Sequence, residues 1–335
     1  MKHKPERVFI AGGTGFLGYY SALQFLKKGC LVSSIALPNE IETDSWFPKE
    51  IDLSFGDLFK MSEQEITELI KDKNPDTFVY CLGPDDRITP SYPAYEFFRL
   101  RLVDYCVKIC RSAKNAGIKR CIVLNSYFAY FDRIQNGLLS KRHPYIRSRI
   151  EQALAVTELG EEGTFDVMIL ELPYIFGSMP GRLPIWKSVF IDRFKKLPAI
   201  FFPDGGTAAI HVTGVAEAVF AAACNGDNGK RYPVNSINIK YRKMIGYMFS
   251  FSGIKKKFIN LPGWAGYISG IFVNLKYRIK GLQSGLEISD LMLNILPKDF
   301  FIDPAKTMKE LNYEEFEFNG GDNVISGIRE AMDKC

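Results

Sequence analysis

Short apolar segments alternate with longer amphipathic segments over the first half of the chain. The apolar segments are predicted strands: Val8–Ala11, Leu31–Leu37, Ile51–Phe55, Thr77–Leu82, Cys121–Asn125 and Val167–Leu170. The amphipathic segments are predicted helices: Phe16–Lys28, Glu63–Lys71, Ala94–Asn115 and Tyr145–Leu159. Strands and helices that alternate at this spacing form βαβ units with right-handed crossovers. The pattern therefore predicts an α/β fold, a doubly wound parallel sheet with helices on both faces.

A glycine-rich turn lies between the first predicted strand and the first predicted helix. It reads Gly12-Gly13-Thr14-Gly15-Phe16-Leu17-Gly18, with Gly12, Gly15 and Gly18 three residues apart. Such glycines permit a tight turn, a close approach of the backbone to a pyrophosphate, and close packing of helix on strand. The helix N-terminus then offers free N–H groups and a positive dipole end to the anion. The turn predicts a Rossmann-type domain that binds a dinucleotide.

The pattern loosens after Pro173. Proline and glycine are frequent through Gly177–Pro203, and the next predicted helix is Val215–Cys224. We therefore expect a dinucleotide-binding Rossmann domain over residues 1–173 and a smaller C-terminal region, residues 174–335, that mainly binds substrate. The two are expected to be partly interleaved, because Ala209–Val212 is a candidate strand of the main sheet.

The residues that would read the adenosine half of the cofactor are incomplete. The second predicted strand ends in Ser33-Ser34-Ile35-Ala36-Leu37-Pro38, without the acid that usually holds the ribose and without an arginine. Glu40 and Glu42 lie slightly beyond and are either ribose ligands or solvated loop residues. Asp57 is placed to bind an adenine amino group, or else caps a helix. The sequence leaves NAD and NADP open as cofactors.

Composition and charge exclude several classes of protein. Hydrophobic residues make up 47% and charged residues 24% of the chain, which is ordinary for a globular protein. The net charge of +5 is too small to predict a nucleic-acid partner. Seven scattered cysteines without paired spacing indicate reduced thiols, a cytoplasmic location and no metal site. The uncharged segment Phe258–Leu275 is predicted to contain a helix of the fold that begins at Pro262; a peripheral membrane contact is the alternative, and no transmembrane span is expected.

Several motifs occur together and in order. They are the opening GGTGFLG, Asp57-Leu58, Asn125-Ser126 with Ala129-Tyr130, Tyr145 in a Tyr-x-x-x-basic arrangement, Leu172–Gly177, and His211-Val212 before Val215–Ala218. With them the chain resembles the extended short-chain dehydrogenases/reductases of the NAD-dependent epimerase/dehydratase type. The likeness covers most of the chain. The resemblance implies these cofactor-binding residues: Gly12, Thr14, Gly15, Phe16, Leu17, Gly18, Asp57, Leu58, Leu82, Gly83, Tyr145, Arg149 and Pro173.

The resemblance also implies a catalytic group of Ser126, Tyr145 and Arg149. In the family a tyrosine hydroxyl exchanges a proton with the substrate oxygen while nicotinamide exchanges a hydride with the same carbon. A lysine four residues after the tyrosine favours the phenolate, and Arg149 stands at that position here. Arginine and lysine are not interchangeable. Either Arg149 does the lysine's work, or the site has kept binding and lost proton transfer.

Further polar residues are expected near the cleft. Asp85, Asp86 and Arg87 follow the fourth strand and either bind substrate or form a solvated turn, and Tyr130 is a second candidate contact. His143, Glu171 and His211 are predicted to be structural. The chain is thus predicted to be an NAD(P)-dependent oxidoreductase or epimerase, with a homodimer as the candidate assembly. It would transfer hydride at a secondary alcohol or ketone carbon of a nucleotide-sugar or an apolar ketone, the latter suggested by Phe201, Phe202, Trp264, Tyr267 and Phe272. The alternative is a non-catalytic dinucleotide-binding sensor or partner-binding protein.

Overall fold

The computed structural model describes residues 2–38, 46–313 and 320–333. Its strands are β1 (Arg7–Ala11), β2 (Leu31–Ala36), β3 (Asp52–Phe55), β4 (Thr77–Tyr80), β5 (Arg120–Ser126), β6 (Asp166–Leu172), β7 (Tyr174–Phe176), β8 (Ala199–Phe202), β9 (Gly206–His211), β10 (Arg231–Pro233), β11 (Ile237–Lys240), β12 (Lys257–Asn260) and β13 (Asp299–Phe300). Its helices are α1 (Phe16–Lys27), α2 (Glu63–Lys73), α3 (Ala94–Phe98), α4 (Tyr105–Asn115), α5 (Tyr127–Ile134), α6 (Pro144–Thr157), α7 (Asp192–Phe194), α8 (Val212–Asn225), α9 (Tyr241–Phe251), α10 (Gly263–Ile279), α11 (Ile288–Asp290), α12 (Ala305–Leu311) and α13 (Gly320–Asp333). Wider π-helical turns cover Arg99–Asp104, Lys187–Ile191 and Leu291–Ile295.

The main sheet has seven parallel strands in the order β10-β6-β5-β4-β1-β2-β3. Its two faces carry separate cores, because side chains alternate along each strand. Val8 and Ile10 of β1 face the side covered by α1 and α8. Phe9 and Ala11 face the side covered by α2, α4 and α6. The predicted doubly wound sheet is confirmed.

The helix predicted over Ala94–Asn115 is α3 and α4 joined by the π-helical turn. Gly117 follows it with a φ of 90°, the left-handed conformation expected of a glycine that ends a helix. The helix predicted from Tyr145 begins one residue earlier, at Pro144. Helix α5 was not predicted, because it follows β5 without an intervening turn signal and is largely buried.

The C-terminal region contains a second, smaller sheet. Strand β9 pairs with β7, β11 and β13, while β8 and β12 form a separate pair. The expectation that Ala209–Val212 joins the main sheet is therefore wrong. The strand that does so is β10, with Tyr232 in register with Leu170 of β6. Strand β10 has only three residues, too few to produce a recognisable sequence period, and so the sequence did not reveal it.

The segment Phe258–Leu275 is divided between two elements. Residues 258–260 belong to β12, and Pro262 directly precedes α10, as predicted for the start of the helix. Across the described ranges, 2–38, 46–313 and 320–333, no helix is long and apolar enough to cross a membrane.

A buried ionic network joins α11 of the C-terminal region to the residue before α6. His143 is fully buried, and its Nε2 lies 3.1 Å from an Asp290 carboxylate oxygen. The His143 Nδ1 accepts the Glu287 backbone N–H at 2.9 Å. Burial raises the pKa of Asp290, but the hydrogen bonds from His143, Asn294 and Arg142 outweigh burial and lower the pKa to about 2. This network positions the start of α6 against the C-terminal region.

Replacing Asp290 with asparagine should destabilise the protein by about 2 kcal/mol at pH 7. The folded-state pKa of Asp290 is lowered, so its stabilising contribution is complete above the unfolded-state pKa of about 4 and is lost as the pH falls toward about 2. The difference in unfolding free energy between the native protein and Asp290→Asn should shrink over this range in urea titrations. The exposed Asp72→Asn is the control, and a difference that stays constant with pH would contradict the assignment.

Candidate active site

The glycine turn is closely packed at two of its three spaced glycines. Gly12 has a φ of 94°, a conformation that favours glycine. A Cβ atom on Gly18 would lie 2.1 Å from the Gly12 carbonyl oxygen, so α1 can pack on the turn only without a side chain there. Gly15 has ordinary extended backbone, and a Cβ atom would contact only the same oxygen, at 3.2 Å. Gly15 is therefore the glycine with room beside it.

A cavity of about 810 Å³ opens beside this turn. It is bounded by the glycine turn, the ends of β4, β5 and β6, helix α6 and the C-terminal region. The predicted site residues in its wall are Gly15, Phe16, Leu17, Leu82, Gly83, Ser126, Tyr145, Arg149 and Pro173. The other predicted residues, Gly12, Thr14, Gly18, Asp57 and Leu58, are not in the wall, and Leu58 packs in the core. The structure thus brings together predicted residues from five separate stretches of sequence.

The start of α1 is suited to an anion. Gly15 precedes the helix, and no side chain in the described residues caps its first turn. Phe16 and Leu17, the first two residues of the helix, line the cavity. Unpaired N–H groups at a helix start bind phosphate groups. The residues present therefore fit the pyrophosphate of a dinucleotide.

Side-chain hydrogen bonds to backbone groups hold the turns that follow β1 and β3. The Ser34 hydroxyl accepts the Gly13 N–H at 3.0 Å and donates to the Ile10 carbonyl at 2.7 Å. Asp57 accepts the Phe59 N–H at 3.0 Å and so caps the turn at residues 58–60, not a helix, because α2 begins at Glu63 with Ser62 as its N-cap. Glu40 and Glu42 lie outside the described residues, and the recognition of adenosine stays a prediction.

Tyr145 and Arg149 form a buried pair on α6. Tyr145 is 4% exposed and Arg149 9% exposed. The Arg149 Nε–H donates to the Tyr145 hydroxyl oxygen at 3.0 Å, as expected for residues one helical turn apart. Its guanidinium carbon lies 5.2 Å from the centre of the tyrosine ring. Arg149 is therefore directly bonded to the oxygen that would exchange a proton.

The rest of the guanidinium is held in place by three other acceptors. Its terminal nitrogens donate to Gln152 Oε1 at 2.9 Å and to the Leu124 carbonyl at 3.3 Å, with the Pro84 carbonyl at 3.5 Å. Asn125 donates its side-chain amide to the Arg149 carbonyl at 2.9 Å and to Gln152 Oε1 at 3.0 Å. A planar group with several donors can satisfy all these acceptors, whereas a lysine ammonium cannot reach them in the same geometry.

Two opposing effects act on the Tyr145 hydroxyl. Burial raises the pKa of Tyr145 above its usual value of 10, and Arg149 opposes that shift. The nearby Asp86 carboxyl adds to the rise in the Tyr145 pKa. Burial also raises the pKa of Asp86 itself, and it raises that of Tyr174, across the cavity, to about 12. Tyr145 is thus the tyrosine of the cavity wall whose phenolate a bonded cation favours.

Ser126 ends β5 and precedes α5. Its hydroxyl oxygen accepts the Phe128 N–H at 3.3 Å, so the side chain caps α5. An accepted hydrogen bond leaves the hydroxyl proton available for a substrate oxygen. The capping alternative and the binding role are therefore compatible, and the cap orients the hydroxyl in the cavity wall.

The remaining polar candidates divide into two groups. Asp85, Asp86 and Arg87 line the cavity, and Asp85 forms an ion pair with Arg87 at 2.7 Å. The structural roles predicted for the other three residues agree with their contacts. His143 binds Asp290, the buried Glu171 accepts both terminal nitrogens of Arg133 at 2.8 and 2.9 Å, and His211 caps α8. Tyr130 is not in the cavity wall; its ring contacts Phe131 and Arg133 instead.

Sequence reasoning missed the side of the cavity formed by residues 182–194. Trp186 is 7% exposed and stacks on Tyr174, with ring centres 5.2 Å apart. The Arg87 guanidinium lies 5.0 Å from the Trp186 ring centre. Arg182 and Arg193 line the same wall. This segment has no regular period, so only its tryptophan, one of three in the chain, was a signal.

Solved structures share this fold at low sequence identity. The protein gox2253 aligns with a TM-score of 0.76 and 18% identity, over 98% of this chain and 97% of that one. The Bordetella bronchiseptica enzyme WbmG, solved with NAD, aligns with a TM-score of 0.68 and 14% identity, over 99% and 96% of the two chains. UDP-glucose 4-epimerase from Thermotoga maritima, solved with UDP-glucose, aligns with a TM-score of 0.67 and 10% identity, over 98% of each chain. A comparison with curated protein sequences gave no match.

The family model of the NAD dependent epimerase/dehydratase family matches residues 8–239. The chain belongs to this family, which confirms the resemblance drawn from the motifs. Membership also confirms the predicted class of cofactor, a nicotinamide dinucleotide, and it supports an enzyme of the extended short-chain dehydrogenase type.

Replacing Gly15 with valine should weaken dinucleotide binding by at least about tenfold while the protein stays folded, because the side chain would enter the space beside an uncapped helix start. Isothermal titration with NAD and with NADP measures the effect. Gly246→Val on α9, where a Cβ atom meets nothing within 4 Å, is the matched control and should bind normally. Unchanged affinity in Gly15→Val would remove the anion site from α1.

Proposed function

We propose that the protein is an NAD(P)-dependent enzyme that oxidises or reduces a secondary alcohol or ketone carbon of a nucleotide-linked sugar. The observation that carries the proposal is the hydrogen bond from Arg149 Nε to the Tyr145 hydroxyl at 3.0 Å, in the wall of the cavity that also receives the start of α1. The catalytic residues are Ser126, Tyr145 and Arg149.

Each residue has a distinct task. When bound, the nicotinamide supplies or accepts a hydride at the reacting carbon. In the direction of reduction, the Tyr145 hydroxyl donates its proton to the carbonyl oxygen, and Arg149 stabilises the phenolate that remains. The Ser126 hydroxyl donates a hydrogen bond to the same oxygen and orients it. In the direction of oxidation, the Tyr145 phenolate accepts the proton of the alcohol.

The opposite wall of the cavity supports a nucleotide-linked substrate. Arg87, Arg182 and Arg193 bring three cations to it, and guanidinium groups bind phosphate oxygens in a bidentate manner. Trp186 contacts both the Tyr174 ring and the Arg87 guanidinium, and so it holds Arg87 in this wall. UDP-glucose is the ligand of the Thermotoga maritima neighbour. A substrate with a diphosphate would pair with these cations.

An apolar ketone is the second candidate substrate, and its support is weaker. Of the aromatic residues that suggested it, only Phe202 lines the cavity; Trp264 and Phe272 are exposed on α10. A non-catalytic binding protein remains the other alternative, because arginine replaces the usual lysine. The bond between Arg149 and the Tyr145 oxygen favours retained catalysis.

Replacing Tyr145 with phenylalanine should lower kcat by at least about a hundredfold and leave the Kd for NAD nearly unchanged, because only the proton is lost. Arg149→Met should lower kcat and also weaken the binding of NAD, whereas Arg149→Lys should keep part of the activity. In the direction of oxidation the rate rises with pH as Tyr145 loses its proton. Burial raises the pKa of Tyr145 and Arg149 opposes that shift, so the increase in rate should move to higher pH in Arg149→Met.

These measurements follow nicotinamide absorbance with a panel of nucleotide-sugars and ketones. The exposed Tyr92→Phe is the matched control for Tyr145→Phe. Hydride transfer at full rate in Tyr145→Phe would exclude Tyr145 as the proton donor. Binding of NAD without turnover of any panel member would favour the non-catalytic alternative.

The double variant Arg182→Met and Arg193→Met should raise KM for a nucleoside-diphosphate sugar by at least about tenfold, since each charged hydrogen bond contributes about 1.5–3 kcal/mol. The KM for an uncharged ketone should not change. Arg111→Met on α4, a surface residue that pairs with Glu63, is the control. Equal effects on charged and uncharged substrates would contradict phosphate binding by this wall.

A further inference from the structure

Helix α10 presents its large apolar side chains outward. Trp264 is 67% exposed, Phe272 68% and Ile279 77%. Four more apolar residues on the helix are exposed as well: Tyr267, Ile268, Ile271 and Leu275. Their spacing of three and four residues places all seven on one face. We call this set of seven side chains the outer face of α10.

The inner face of the helix fixes this orientation. Gly266 and Gly270 are its buried residues, one turn apart. A Cβ atom on Gly270 would lie 2.5 Å from the Ser289 Cα, and one on Gly266 would lie 3.0 Å from the Met292 side chain. The helix therefore packs through glycines against residues 288–292. The helix cannot turn its large side chains inward, because the space between α10 and residues 288–292 has room only for glycine at these positions.

The stretch of sequence that contains α10 carries charges of a single sign. Residues 228–286 contain eleven lysines and arginines and no aspartate or glutamate. The rest of the chain has 32 basic and 38 acidic residues. Lys230, Lys240 and Arg242 pair with carboxylates outside the stretch, so the positive charge beside α10 is that of the cations that directly flank the helix. Lys255, Lys256 and Lys257 precede the helix, while Lys276, Arg278 and Lys280 lie at its end.

The carboxylates of Glu287 and Asp290, in the segment on which the helix packs, already have partners. Glu287 binds Asn274 and Ser289, and Asp290 binds His143 and Arg142. They therefore do not offset the positive charge beside the outer face.

We propose that the outer face of α10 docks on the surface of a bilayer that contains anionic phospholipids. An apolar helix face bordered by lysine and arginine is the pattern of a helix that lies in the membrane interface. The apolar side chains would enter the region below the headgroups, and the flanking cations would bind lipid phosphates. A second copy of the chain fits less well, since a symmetric contact on this face would bring the same basic clusters together.

The surface borders the candidate active site. Tyr277, on the inner side of α10, lines the cavity, as do Ile288 and Leu291 of the segment on which the helix packs. Docking would hold the cavity close to the lipid headgroups. The proposal does not rest on the proposed activity, because binding to lipid can be measured without turnover.

The test is binding of the full chain to vesicles of phosphatidylcholine, with and without phosphatidylglycerol. Flotation measures the bound fraction. The fluorescence of Trp264 should shift to shorter wavelength and be quenched by lipids brominated in the acyl chain. The fluorescence of Trp186 should change little, because this residue is buried. Binding should require phosphatidylglycerol and should weaken as the salt concentration rises.

Two variants separate the apolar and the charged contributions. Ile271→Asp with Phe272→Asp should reduce partitioning by more than about a hundredfold, since two large apolar side chains no longer enter the lipid. Lys276→Gln with Lys280→Gln should reduce it by about fivefold for each charge removed. Leu154→Asp on α6, 51% exposed, is the control for the first, and Lys71→Gln with Lys306→Gln is the control for the second.

The charge variant keeps the test valid if the aspartate variant fails to fold. Absence of vesicle binding, or equal binding to vesicles without phosphatidylglycerol, would overturn the proposal. A dimer in solution that the aspartate pair dissociates, together with no vesicle binding, would overturn it in favour of a second copy of the chain.

Discussion

The geometry of the candidate site depends on one buried cation. The guanidinium of Arg149 is 9% exposed, and a charge at that depth is tolerated only when its donors find acceptors. Those acceptors come from three places: the Tyr145 oxygen and Gln152 on α6, the Leu124 carbonyl on β5, and the Pro84 carbonyl after β4. Satisfying the charge therefore also sets the distance between α6 and the carboxyl edge of the sheet. The substitution of arginine for lysine is accommodated by this wider set of acceptors.

The C-terminal region completes the same site from the other side. The Tyr145 N–H donates to the Gly285 carbonyl at 2.9 Å, and a Cβ atom on Gly285 would lie 3.1 Å from the Tyr145 Cβ. The His143–Asp290 bond lies just before this contact along α6. The tyrosine is thus held between the sheet and a segment about 140 residues later in the chain. Tyr145 therefore shares one wall of the cavity with Ser284 and Leu286 of the C-terminal region.

The exposed aromatic residues of the C-terminal region are better explained by a surface than by a substrate. Trp264, Tyr267 and Phe272 would suit an apolar ligand if they lined the cavity, but they lie on the outer face of α10. The wall that does face the cavity combines Trp186 with arginines. The exposed apolar side chains and the cavity arginines are therefore separated in space, the first on α10 and the second in the cavity wall.

The sequence by itself determined the features that depend on local spacing. The alternating segments predicted the doubly wound sheet, the spaced glycines predicted the turn at α1, and the four-residue interval predicted that Tyr145 and Arg149 share a face. Tertiary structure alone decided that β9 joins the smaller sheet while β10 joins the main sheet. It also decided the burial of His143 against Asp290 and the place of Trp186 in the cavity. It also decided that α10 turns its large side chains outward, because the glycines that fix the helix contact residues 288–292, which belong to the next elements of the chain. Periodicity reports which side chains of one element lie together; which neighbour they meet depends on contacts between segments far apart in the chain.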